Sequence, residues 1–129
     1  VDKDNNFIIS FLKEASATRE EVRKGEEIAG VFCDMEGTLF LSGVLNSAVL
    51  QFLQKLEGEG KEITLWTDGN VPDLSQLITE NGIHYPLYAK RDFAGAIVEM
   101  AIDDMDEQSF SAITKIYVTK FIRVQDVPN

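Results

Sequence analysis

From Ile28 onward, short apolar runs alternate with stretches in which apolar residues recur every three or four positions, the pattern of buried strands alternating with amphipathic helices. The run Ile28-Ala29-Gly30-Val31-Phe32-Cys33 has no polar interruption, so it predicts a central strand covered on both faces, ending at Asp34. Asn46 stands where a helix cap belongs, ahead of Val49, Leu50, Leu53 and Leu56 at helical spacing, with Gly58 and Gly60 to stop that helix. A second strand, Ile63 to Trp66, ends at Thr67. Asn70, Pro72 and Asp73 then read as a helix start, with Leu74, Leu77 and Ile78 as its buried stripe and Asn81-Gly82 as its stop.

A third strand, Tyr85 to Ala89, ends at Lys90. Arg91 to Ala96 is short for a parallel crossover, so either a helix runs into Ile97-Val98 or the next strand starts late. Val98, Met100, Ala101 and Ile102 lead to Asp103-Asp104. A last strand with Ile116, Val118, Ile122 and Val124 on one face is interrupted by Lys120, which marks an edge. Before all of this, residues 4–26 carry Phe7, Ile8, Phe11 and Leu12 at helical spacing and then a charged tract, read as one or two helices outside the core. The expectation is an α/β three-layer sandwich with a mostly parallel, Rossmann-like sheet: one domain of residues 1–129, with a helical segment over 1–27 and an α/β core over 28–129.

Composition sharpens this picture modestly. A chain of 129 residues, 44% of them hydrophobic, with a mean hydropathy of −0.09, suits one compact core. No apolar run approaches the roughly 20 residues that span a bilayer, and no leader pattern opens the chain, so a cytoplasmic protein without a membrane partner is expected. A chain that opens on Val1 rather than Met reads as a processed product or a piece of a longer protein. The single cysteine, Cys33, has no internal disulfide partner and reads as a core residue. The net charge of −10 argues against nucleic acid as a partner. Lys115, Lys120 and Arg123 cluster near the end of the chain and read as a solvated face rather than a basic patch.

The chemistry lies where the runs stop. Four of them end in Asp34, Thr67, Lys90 and Asp103-Asp104, and in a parallel sheet the carboxyl ends of the strands share one edge, so these residues can meet on one ligand. Carboxylates suit a hard cation such as Mg²⁺, whereas a hydroxyl and an ammonium suit phosphate oxygens. Singly, each has a plainer reading: turn chemistry for Thr67-Asp68-Gly69-Asn70, a surface lysine for Lys90 and a helix cap for Asp103-Asp104. His84 has no second histidine or thiol to share a metal with and is given no role.

The string Asp34-Met35-Glu36-Gly37-Thr38, followed in order by Thr67, Lys90 and Asp103-Asp104, resembles the haloacid dehalogenase-like superfamily over about residues 28–104. The resemblance implies a phosphohydrolase in which Asp34 attacks phosphorus to form an aspartyl-phosphate, Glu36 is the acid-base, Thr67 donates to the phosphoryl group and Lys90 neutralises charge. It implies Mg²⁺ held by Asp34, the Glu36 backbone carbonyl and Asp103, with Asp104 a further ligand or an orienting group. Glu36 departs from the pattern, which has Asp there; enolase-phosphatases, which the motif also resembles, carry Asp-x-Glu-Gly. Between Asp34 and Thr67 there is room for a flap and one helix, and between Thr67 and Lys90 for one helix, so a cap domain is not expected. Cap-less relatives admit large substrates such as phosphoproteins or borrow a homo-oligomer neighbour as a lid, and the sequence leaves open whether the phosphorylated substrate is a small molecule or a protein. The alternative within the same fold is an inactive binding or regulatory module. A receiver domain gathers similar residues, but with its acidic pair first and its Lys last, whereas here the acidic pair comes last.

Overall fold

In a computed structural model describing residues 22–128, five strands form one parallel sheet in the order β5-β4-β1-β6-β7. The elements along the chain are β1 (Glu27–Asp34), a hairpin of β2 (Phe40–Leu41) and β3 (Val44–Leu45), α1 (Ser47–Gly58), β4 (Ile63–Thr67), α2 (Val71–Glu80) and β5 (Leu87–Ala89). A 3₁₀ turn (Lys90–Phe93), β6 (Ile97–Asp103), α3 (Glu107–Thr114), β7 (Tyr117–Arg123) and a last 3₁₀ turn (Val124–Asp126) complete them. The uninterrupted apolar run of β1 lies in the middle of the sheet, where both faces are covered.

Its alternation separates two apolar layers. Val31 and Cys33 face the layer that holds Val49, Leu53 and Leu56 of α1 and Ile78 of α2. Phe32 faces the other, with Trp66, Phe93 and Phe110 of α3. The molecule is therefore an α/β three-layer sandwich. Asn70 caps α2 by accepting from the Asp73 amide at 3.0 Å. Asn46 holds the cap position of α1, but its side chain instead donates to the Thr38 carbonyl at 3.2 Å, tying the helix start to the loop that follows β1.

Several expectations need correction. The helical reading of residues 4–26 falls mostly outside the described residues, and where it reaches them, at 22–26, the chain is coil and turn rather than helix. There Gly25 donates to Gly95 at 2.7 Å, a long-range bond that draws the backbone out of helical register. The β5-to-β6 connection is neither a helix entering Ile97-Val98 nor a late strand. A 3₁₀ turn suffices because Phe93 is buried against Phe32 at 5.3 Å and Trp66 at 5.5 Å between ring centroids, taking the place a crossover helix would occupy.

Nor do Ile116, Val118, Ile122 and Val124 share one face. The first two belong to the Phe93 layer and the last two to the α1 layer. Neighbouring β6 changes layer in the same way between Val98 and Met100, beside an irregularity in β1 between Ile28 and Val31. Gly30 sits at that irregularity with φ +111, and a Cβ there would lie 2.9 Å from the Glu62 carbonyl oxygen, so only glycine fits. β7 is an edge strand, as Lys120 suggests, and α3 is an element the pattern did not announce. Among the described residues, no helix is long and apolar enough to cross a membrane.

Candidate active site at the carboxyl edge of the sheet

Asp34, Thr67 and Asp103 are the last residues of β1, β4 and β6, three adjacent strands, and all three are buried at one edge of the sheet. Lys90 starts from β5, two strands away from β1. Its long side chain crosses that gap: Nζ lies 2.9 Å from Asp34 Oδ1 and 3.1 Å from Asp103 Oδ2. The ammonium also sits 5.7 Å from the centroid of the Phe110 ring, so an aromatic face backs it from the apolar layer. Three chain segments thus meet at one buried cation, although they lie far apart in sequence.

The remaining lone pairs are also engaged. The Thr38 hydroxyl donates to Asp34 Oδ2 at 3.0 Å, and the Met105 amide donates to Asp103 Oδ1 at 3.0 Å. Thr67 Oγ1 donates to Glu36 Oε1 at 3.0 Å and accepts from the Gly69 amide at 2.8 Å. A Cβ on Gly69 would lie 3.0 Å from Glu36 Oε2, a tight contact with the end of that side chain.

Gly37, at φ +83, plays the same part for Asp104, since a Cβ on it would collide with the Asp104 carboxylate. One oxygen each from Asp34, Asp103 and Asp104 lies within 4.8 Å of the others, the one group of its kind among the described residues. Two buried carboxylates of this group hold the Lys90 ammonium, with Asp104 beside them. Burial pushes the Asp103 carboxyl above the usual carboxylate range, with Lys90 and the Met105 amide opposing the rise and Asp104 adding to it. Burial likewise lifts Asp34 to about 7, Asp103 adding to the rise while Lys90 opposes it. Burial disfavours the Lys90 charge, yet Asp34 and Asp103 outweigh it and hold the ammonium at about 12.

This donor set fits a small hard cation. It is all oxygen, crowded with like charge that a divalent ion would relieve, and leaves one exposed ligand, Asp104, toward solvent. Every residue singled out from the sequence, Asp34, Glu36, Thr67, Lys90, Asp103 and Asp104, lies at this edge. Sequence reasoning missed three further participants. Thr38 orients Asp34 and was legible only as the end of its motif. Asp68 approaches Lys90 at 3.7 Å while largely exposed. Arg123, assigned to a solvated face, is half-buried and donates through Nη2 to the Asp104 carbonyl at 3.1 Å. Comparison of the chain with protein-family models, curated proteins and solved structures finds no match.

Proposed function

We propose that the protein is a Mg²⁺-dependent phosphohydrolase of the haloacid dehalogenase-like type, without a cap domain, acting on a phosphomonoester through an aspartyl-phosphate on Asp34. The observation that carries this reading is the Lys90 ammonium held between Asp34 and Asp103 at the ends of adjacent strands. A lysine placed only for stability would be poorly used there, because burying three charges costs more than a packed apolar cluster of the same size. An attacking carboxylate, by contrast, needs a fixed cation beside it when a phosphoryl dianion arrives.

Asp34, Asp103 and Asp104, with the Glu36 carbonyl, would hold the Mg²⁺, which when bound supplies charge neutralisation for the carboxylates and the phosphoryl oxygens. The Thr38 hydroxyl and Lys90 fix the two oxygens of Asp34. A carboxylate oxygen of Asp34 attacks phosphorus as the bond to the leaving oxygen breaks, and the Glu36 carboxyl gives that oxygen a proton. Glu36 then takes a proton from water, whose oxygen attacks phosphorus, releasing inorganic phosphate and the free Asp34 carboxylate. Thr67 aims Glu36 in the resting state and turns its hydroxyl to the phosphoryl group when substrate enters.

The bond between Thr67 and Glu36 also favours a second reading, a binding module without turnover, because each group already satisfies the other. Hydrolysis of p-nitrophenyl phosphate with and without Mg²⁺ separates the two. The phosphohydrolase reading expects turnover that requires Mg²⁺ and vanishes in Asp34→Asn; absence of turnover in the wild type supports the module.

A further inference from the structure

We infer that Arg123 is a positioning residue for the cation site, holding the acidic segment after β6 in the geometry that Mg²⁺ demands. This rests on the reading of Asp34, Asp103 and Asp104 as cation ligands. Arg123 is the last residue of β7, the edge strand, and is paired in register with Asp103. Its Nη2 donates to the Asp104 carbonyl at 3.1 Å, and its Nε is buried with no partner.

The segment it touches has its own internal ties. Asp103 accepts from the Met105 amide, and Asp106 caps α3 by accepting from the Ser109 amide at 2.9 Å. Asp104 lies between them, and its exposed carboxylate packs over Gly37. The Arg123 bond reaches Asp104 from a different strand. A planar guanidinium fork, anchored by an edge strand and spending a buried donor position to reach one carbonyl, costs more than a surface arginine needs. That cost is understandable if the carbonyl must be fixed. Fixing it restricts the Asp104 backbone and so the direction of its carboxylate.

Mg²⁺ requires near-ideal octahedral geometry, whereas Ca²⁺ tolerates irregular ligands, so loosening Asp104 should cost Mg²⁺ more than Ca²⁺. The sign of the effect is also diagnostic. By Coulomb's law alone, removing a positive charge beside a cation site tightens cation binding; a positioning role predicts the opposite.

The test is calorimetric titration of Mg²⁺ and Ca²⁺ into the full chain and into Arg123→Gln, with melting temperatures in EDTA alongside. The expected result is Mg²⁺ binding weakened about tenfold, in the range seen when groups that orient ligands are removed, and Ca²⁺ binding weakened less. Unchanged or tighter Mg²⁺ binding overturns the inference, as does an equal loss for both ions that tracks a fall in melting temperature. If Arg123→Gln does not fold, Arg123→Lys keeps the charge but not the fork: weaker Mg²⁺ binding supports the inference and wild-type binding overturns it. A wild type that binds no Mg²⁺ would instead defeat the functional reading itself, and this inference with it.

Discussion

At the amino-terminal end of the strands Lys61 pairs with Glu99, while at the carboxyl-terminal end Lys90 pairs with Asp34 and Asp103. Both are lysine-carboxylate contacts across the same sheet, yet they differ in burial and in balance. Lys61 and Glu99 are each more than a third or about a third exposed, at 38% and 34%, and one charge answers one. Glu99 also accepts from the Gly30 amide at 2.8 Å, so its work is to close the irregularity in β1. The Lys61 ammonium, more than that amide, holds its carboxyl below the ordinary range. Around it lies an open depression lined by Glu57, Lys61, Glu62 and Tyr85. The Lys90 group is buried, and carboxylates outnumber the cation. An exposed, balanced pair is what folding alone produces. A buried, over-acidic one lowers stability and needs another justification, which the proposed cation and phosphoryl substrate would provide.

The comparison can be broken by perturbing each end in turn. Replacing the proposed nucleophile is the severest step: Asp34→Asn should lower the proposed phosphatase turnover on the order of a thousandfold or more, whereas Glu99→Gln should leave it within about twofold of wild type, both read as initial rates on p-nitrophenyl phosphate. Similar losses in the two variants would erase the distinction between the ends.

Stability comes next. Lys90→Met leaves buried carboxylates uncompensated and should cost about 3–5 kcal/mol in urea unfolding. Lys61→Met removes a partner from a screened pair and should cost under about 1 kcal/mol. Equal costs would mean that burial does not set the two ends apart.

How much of this was legible in the sequence follows from what local patterns encode. The ends of β1, β4 and β6 could be read because a buried parallel strand is a continuous apolar run, and a polar residue at its end is visible at once. Lys90 could be placed by order alone, although its reach across two strands could not. The crossover was misread because Phe93 packs on Phe32 and Trp66, residues distant in sequence, and ring packing leaves no periodic trace. Helix α3 escaped notice because it spans only Glu107–Thr114, too short for a repeating stripe, though Asp106 three places before Ser109 was a capping signal. Arg123 looked solvated because alternation says which face a residue takes and nothing of the carbonyl it reaches. The Thr67 contact with Glu36 likewise depends on the close turn at Gly69, which the motif string does not contain.

That contact sharpens the comparison further. If the turn at Gly69 is fitted to the longer acid, then Glu36→Asp, which restores the commoner motif, should lose the bond to Thr67 and lower the rate about tenfold. A faster Glu36→Asp enzyme would mark Glu36 as a defect.

The smallest effect expected is on pH dependence. Asp34 is raised from 3.8 to about 7, so between those values the folded protein holds a proton that the unfolded chain has released. Stability conferred by that proton is lost as pH rises, and in EDTA the melting temperature should fall by a few degrees between about pH 4 and about pH 7. Lys90, raised to about 12, adds stability that is full below 10.5 and lost only as pH climbs through its own higher value, outside this window. Asp34→Asn should lessen the slope, and the Asp103 carboxyl, raised in the same sense, accounts for what remains. The Lys61 and Glu99 pair should act in the opposite sense and only at the acid end, because the lowered Glu99 carboxyl adds stability that is present above 4.5 and lost as pH falls through its own lower value.

The central claim is that Asp34 forms a bond to phosphorus. Acid quenching of the protein during turnover with Mg²⁺ and p-nitrophenyl phosphate, followed by peptide mass spectrometry, reads that bond directly. The account predicts one added phosphoryl group on the peptide containing Asp34, absent without Mg²⁺ and absent in Asp34→Asn. Turnover without any phosphorylated Asp34 peptide, or with the phosphoryl group on a different residue, would contradict it.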